Sequence, residues 1–127
     1  MLAYQEPEVY NHLEKIQFKP DLYAISWILT AFSHVFTINK VFKIWDELLV
    51  NSPALLLFVG ISILKHLKNE LITLDFNGVI LLFSNLPNIS IEPCLEDAKL
   101  SLRNTPLTIS FSRYSVEKVC YQFLFYL

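Results

Sequence analysis

The sequence predicts an all-α protein, an array of about six helices over residues 1–106, followed by an atypical apolar tail over 107–127. Three observations predict it. Apolar residues recur at three- and four-residue steps along most of the chain, the period of one helix face. Only two glycines occur among 127 residues, too few for a turn-rich β protein. Prolines and short polar residues stand where helices would begin.

The first helix is expected from about Glu6 to Ile16, with Pro7 in its first turn and Val9, Leu13 and Ile16 on one face. Gln17 to Lys19 connects it to a second helix opening at Pro20. There Leu22, Ile25, Leu29, Phe32 and Phe36 recur at helical steps, and Ala24, Trp27, Ile28, Ala31 and Val35 widen the apolar surface. Ser26, Thr30, Ser33 and His34 leave only a narrow polar stripe, so this helix belongs in the middle of a bundle. A third helix follows Thr37 to Asn39, with Val41, Ile44, Trp45 and Leu48 inward and Lys40, Lys43 and Glu47 outward. Trp27, Phe32, Phe36, Phe42 and Trp45 all occupy core-type positions.

The fourth helix has Ser52 as N-cap and Pro53 in the first helical position, and continues through LLLFVGISILKHLKNEL. Gly60 inside it predicts close approach of another helix, at a propensity cost of about 1 kcal/mol against alanine. Asp75 caps a fifth helix ending near Leu86 and Pro87. Ser90 caps a sixth, on which Ile91, Leu95, Ala98 and Leu102 share a face and Pro93 falls in the first turn. Thr105-Pro106 closes the unit. In the tail, Leu107, Ile109 and Phe111 alternate with polar residues like a strand, and Val116, Val119, Phe123 and Leu127 suggest one more helix.

Composition narrows the function classes. Ten basic and twelve acidic residues give a net charge of −2, so no basic field favours nucleic acid. Apolar residues reach 54%, which points to a surface covered by a partner or a missing segment. The longest apolar run, Ala54 to Leu64, ends at Lys65 and His66, well short of the roughly 20 residues a membrane span needs. Glu6 and Glu8 arrive too early for a signal peptide, and the cytosol is the expected compartment. Cys94 and Cys120 are expected as reduced thiols.

Asp21 to Leu49 reads DLYAISWILTAFSHVFTINKVFKIWDELL. It resembles the C-terminal half of a TBC domain, where a Tyr-Ala-Ile-Pro-Trp-Phe-Leu-Thr helix precedes one carrying Trp-Asp and paired leucines. DFNGVILLFSNLPNISIEPC, from Asp75 to Cys94, and EPEVYNHLEKIQFKPDLYA, from Glu6 to Ala24, look like segments of the TBC-domain-containing kinase-like subgroup. The resemblance covers roughly Glu6 to Pro106. It departs at Ser26, where the family usually has proline and a helix kink, and at Gly78 and Val79, which replace a polar residue and a cysteine.

The resemblance implies an all-helical lobe of a domain that stimulates GTP hydrolysis by Rab-type small GTPases in vesicle trafficking. It also implies, as partners, such a GTPase and the missing N-terminal TBC lobe. That hydrolysis needs developing charge neutralised and a water oriented. The family uses an arginine from an Ile-x-x-Asp-x-x-Arg motif and a glutamine from a Tyr-x-Gln-Gly motif. Here Arg103 and Arg113 are the only arginines and lack that spacing, and Tyr4-Gln5 is followed by Glu6, not glycine. No catalytic, cofactor-binding or metal-ligating residue is therefore assigned, and the chain alone is expected to be inactive. A non-catalytic helical scaffold within a larger complex is the alternative.

The remaining candidates are read as structural. Asp46 fixes a helix–loop junction, and Trp27 and Trp45 pack in the core. His12, His34 and His66 lack the local pairing of a zinc site. Cys94, near a helix start, is an inert buried thiol. Ser52, Ser84 and Ser90 lack the glycines of a nucleophile elbow. Lys65, Lys68, Asn69 and Glu70 make a solvated helix end.

Overall fold

The computed structural model describes residues 1–105, which form eight α-helices and a 3-10 turn with no strand among the described residues. The expected strand and last helix of the tail, with Arg113 and Cys120, lie outside the described residues. The helices are α1 (Leu2–Gln5), α2 (Pro7–Lys15), α3 (Ala24–Leu29), α4 (Ile38–Val50), α5 (Leu55–His66), α6 (Lys68–Leu71), α7 (Phe76–Ser84) and α8 (Ile91–Asn104), with the 3-10 turn at Pro20–Leu22. The all-α expectation holds. Eight α-helices arise from about six because the fourth expected helix is split into α5 and α6 and α1 is additional; the second is also broken, into the 3-10 turn and α3.

α5 is the pivot. It buries Leu55, Phe58, Val59, Ser62, Ile63 and Leu64, half of its residues, because its sequence is apolar nearly all round. Its main partner is α8, whose inward face is Ile91, Cys94, Leu95 and Ala98. Leu102 is only half-buried at the far end of that face. α4 packs on α8 and α3 packs on α5. Polar contacts hold the edges: Lys40 donates to the Ile89 carbonyl at 2.6 Å, Lys99 pairs with Glu47 at 3.2 Å, and Lys43 pairs with Glu92. Lys68 pairs with Glu8 at 2.7 Å, so the polar end expected at Lys65 to Glu70 is partly tied to α2. Gln5 donates to Thr105 at 2.6 Å, joining α1 to the end of α8.

The expected second helix, continuous from Pro20 through Phe36, is the largest correction. It is a 3-10 turn, a break at Tyr23 (φ −130°), the short helix α3, and then turns from Thr30. Ser26 lies inside α3 with no interruption at it. The stop after Leu29 has a definite geometry. The Ala31 N–H bonds the Ile28 carbonyl at 3.1 Å and the Phe32 N–H bonds the Trp27 carbonyl at 2.9 Å, a Schellman motif. Ala31 (φ 44°) and Phe32 (φ 64°) are both left-handed, and the rings of Trp27 and Phe32 lie 5.8 Å apart, which is the apolar contact of that motif. α2 ends the same way: Gln17 (φ 58°) bonds Glu14, and Phe18 bonds Leu13 at 2.9 Å. Glycine is the usual residue at these positions. Neither stop has one, so neither is marked in the sequence.

Smaller corrections follow the same logic. Ser52 and Pro53 precede α5 as a turn; the helix starts at Leu55, and the Ser52 hydroxyl accepts from the Ala54 N–H at 3.3 Å. The run to Leu71 is interrupted at Leu67, which separates α5 from α6. Gly60 faces α3, as expected, through aromatic rings: a methyl there would lie 3.8 Å from both Trp27 and Phe32, in ordinary contact. Asp75 caps α7 as expected, accepting from the Gly78 N–H at 2.8 Å. Thr37 and Ser90 hold the N-cap positions of α4 and α8 without a side-chain cap bond.

Candidate interaction surface

The residues expected to pack together divide into a core set and an exposed set. Trp27 and Phe32 are buried, as expected, and Phe36 is half-buried. Phe42 and Trp45 are not core residues: they are 51% and 40% exposed, on the outer side of α4. Helical spacing alone predicts both at core-type positions. At about 100° per residue, however, Val41 and Ile44, which are buried, and Phe42 point to different sectors of the helix. The Trp45 indole N–H donates to the Ala31 carbonyl at 3.1 Å, so this side chain braces the left-handed turn after α3. Asp46 beside it is exposed and makes no ion pair or side-chain hydrogen bond among the described residues, so it does not fix a helix junction.

A second exposed face lies between α3 and α7. Leu22, Ile25, Leu29, Phe76, Ile80 and Leu81 all stand open there or nearby, although the first three were expected in a bundle interior. Between these elements is a cavity of about 420 Å³, walled by Phe18, Tyr23, Trp27 and Phe83, with Ser26 and Ser84 as its polar rim. The rings interlock edge to face: Tyr23–Trp27 at 5.2 Å, Trp27–Phe83 at 5.3 Å, Phe18–Phe83 at 5.6 Å. On the other side of Tyr23 and Trp27 is an apolar cavity of about 210 Å³, bounded by Met1, Leu2, Phe32 and Gly60.

Tyr23 belongs to both cavities, and burial pushes its phenol up to about 12. The folded chain therefore holds the neutral phenol while the unfolded chain ionises near 10. The associated stability is fully present below pH 10 and is lost as pH rises from 10 towards 12, by about 2–3 kcal/mol in all. Urea midpoints measured from pH 8 to 11.5 are expected to fall more steeply for the native chain than for Tyr23→Phe.

Of the other candidates, Cys94 and His66 meet, Sγ to Nδ1 at 3.5 Å. His12 bonds the Leu74 carbonyl at 2.9 Å, His66 bonds the Ser62 carbonyl at 2.8 Å, and His34 is exposed. No group of metal-ligating side chains is found among the described residues. Cys94 is wholly buried, and burial pushes its thiol up, outweighing the hydrogen bond with Ser62, so the neutral thiol is favoured. Burial also opposes ionisation of Asp97, but hydrogen bonds from Lys65 and Ser62 outweigh it and hold this carboxyl below the usual range. Arg103 is exposed in the last turn of α8, where its charge suits the helix dipole. No described helix is long and apolar enough to cross a membrane.

The described residues thus present a small helical core with two bare apolar faces and no metal-ligating group among them. The family follows from comparison. The model of the Rab-GTPase-TBC domain matches residues 1–72, and the chain belongs to that family. The TBC domain-containing protein kinase-like protein of Gallus gallus is 44% identical over 91% of this chain. The protein of that name from Homo sapiens is 42% identical over the same share. The Rab GTPase-activating protein eat-17 of Caenorhabditis elegans is 32% identical over 62% of this chain and 9% of its own length. The chain spans 13% of the length of the Gallus gallus and Homo sapiens relatives. No solved structure matches it.

Proposed function

We propose that this chain is the supporting C-terminal lobe of a Rab GTPase-activating TBC domain, inactive alone, which holds a catalytic lobe and contributes part of the surface that meets the GTPase. The observation that carries this reading is the bare face of α3 and α7. Leu22, Ile25, Leu29, Ile80 and Leu81 come from the two segments that most resemble the family, yet they are left in solvent. A lobe that belongs against another is expected to leave such a face. The relative from Caenorhabditis elegans is described as a Rab GTPase-activating protein, which supports a Rab as the eventual partner; action at endomembranes is part of the same proposal.

The test has two arms. The chain alone, assayed against a panel of GTP-loaded Rabs, is expected to leave hydrolysis at its intrinsic rate; stimulation would overturn the inactivity. Co-expression with the segment that precedes the matched region in the Gallus gallus relative is expected to yield a co-purifying complex. Failure to associate, together with a chain that binds no apolar dye, would overturn the lobe. A second reading is a non-catalytic helical scaffold within a larger complex. Finding both the arginine and the glutamine motif upstream in the longer protein would exclude it.

A further inference from the structure

The outer side of α4 carries Ile38, Phe42, Trp45 and Leu49, spaced four, three and four residues apart. They are 58%, 51%, 40% and 85% exposed. At about 100° per residue they fall within an arc of about 60°. A lone exposed leucine is ordinary; four large apolar side chains in one row are not. Their alternating spacing is that of a helix–helix seam. We propose that this row is the docking seam for one amphipathic helix of a partner protein, bearing heptad-spaced aliphatic residues and a Lys or Arg opposite Asp46.

Charge selects that occupant. Lys40 is engaged by Asn88 and the Ile89 carbonyl, Lys43 by Glu92, and the Glu47 carboxylate by Lys99 and Asn51. Asp46 is the one charged side chain of α4 without such a contact among the described residues. It lies at the edge of the row, where paired helices place their ion pairs. A second copy of this chain would bring one acidic edge to another, with both lysines of α4 already engaged. A bilayer surface prefers a helix with basic flanks, and here the flank is acidic on a chain of net charge −2. The Trp45 N–H is satisfied by Ala31, so its ring needs no polar partner from the occupant. The seam rests on α4 alone and does not depend on the lobe reading.

The probe is a synthetic 21-residue helical peptide without tryptophan, with leucine at the seam positions and arginine beside them, titrated into the full 127-residue chain. A saturable blue shift of tryptophan emission is expected, absent in Trp45→Phe. The same peptide with glutamate for arginine is expected to bind about tenfold more weakly, and Asp46→Lys to reverse that preference. Leu49→Arg should abolish binding, whereas Leu81→Ser, off the seam, should not. The inference is overturned by absence of a saturable shift, by equal binding of both peptides, or by an Asp46→Lys variant with unchanged preference. It is likewise overturned if the shift appears instead with self-association of the chain or with phosphatidylserine–phosphatidylcholine vesicles.

Discussion

Phe32→Ala is expected to cost about 3–5 kcal/mol, measured as a loss in urea-unfolding free energy, against a total of about 5–15 kcal/mol for a domain of ordinary stability. Phe32 is wholly buried. Its ring is 5.8 Å from Trp27 and 6.1 Å from Phe36, and it faces Gly60 of α5. Its loss would leave a void where three segments meet and remove the apolar half of the Schellman motif that ends α3. Ala31→Gly is the counterpart. The left-handed backbone there (φ 44°) costs a non-glycine residue about 1–2 kcal/mol, so glycine is expected to raise stability by up to about 1 kcal/mol once its greater unfolded-state freedom is subtracted. Opposite signs at adjacent positions would identify the turn, not side-chain burial in general, as the constraint. If Ala31→Gly destabilised by as much as Phe32→Ala, the turn assignment would be wrong.

Two substitutions on α4 should differ as sharply. Ile44→Asp places a charge where exposure is 0% and is expected to cost more than about 3 kcal/mol, enough to unfold a marginal domain. Phe42→Asp, two residues away at 51% exposure, should stay within about 1 kcal/mol of the native chain. Far-ultraviolet circular dichroism with a urea titration reads both. Equal destabilisation would mean that the outer row of α4 is packed after all.

The fold class was legible because helical periodicity survives in almost every segment, and α2, α4, α7 and α8 lie close to where the pattern placed them. The breaks in the second and fourth segments were not legible. A helix end normally shows itself by glycine or proline, and Thr30, Ala31 and Leu67 carry no such mark. Hydrophobic pattern alone also could not say which apolar residues are covered. Ile44 and Trp45 are adjacent and both apolar, but the apolar arc of α4 is wider than the side that α8 and its neighbours reach. Trp45 was therefore read as core when it is a brace at the surface, bonded to a carbonyl 14 residues earlier. The Asp75 cap was legible because its chemistry is local: a carboxylate and an N–H three residues on.

Gln17 and Ala31 turn the chain with side chains where glycine would be easier. Surface positions usually accept almost any replacement, yet these two accept few, because a branched β-carbon collides with the backbone in a left-handed corner. Valine or isoleucine at either would be rejected although neither site lies in the core. The least permissive sites to genetic drift in this lobe thus include two that lie outside its core, one of them, Gln17, exposed.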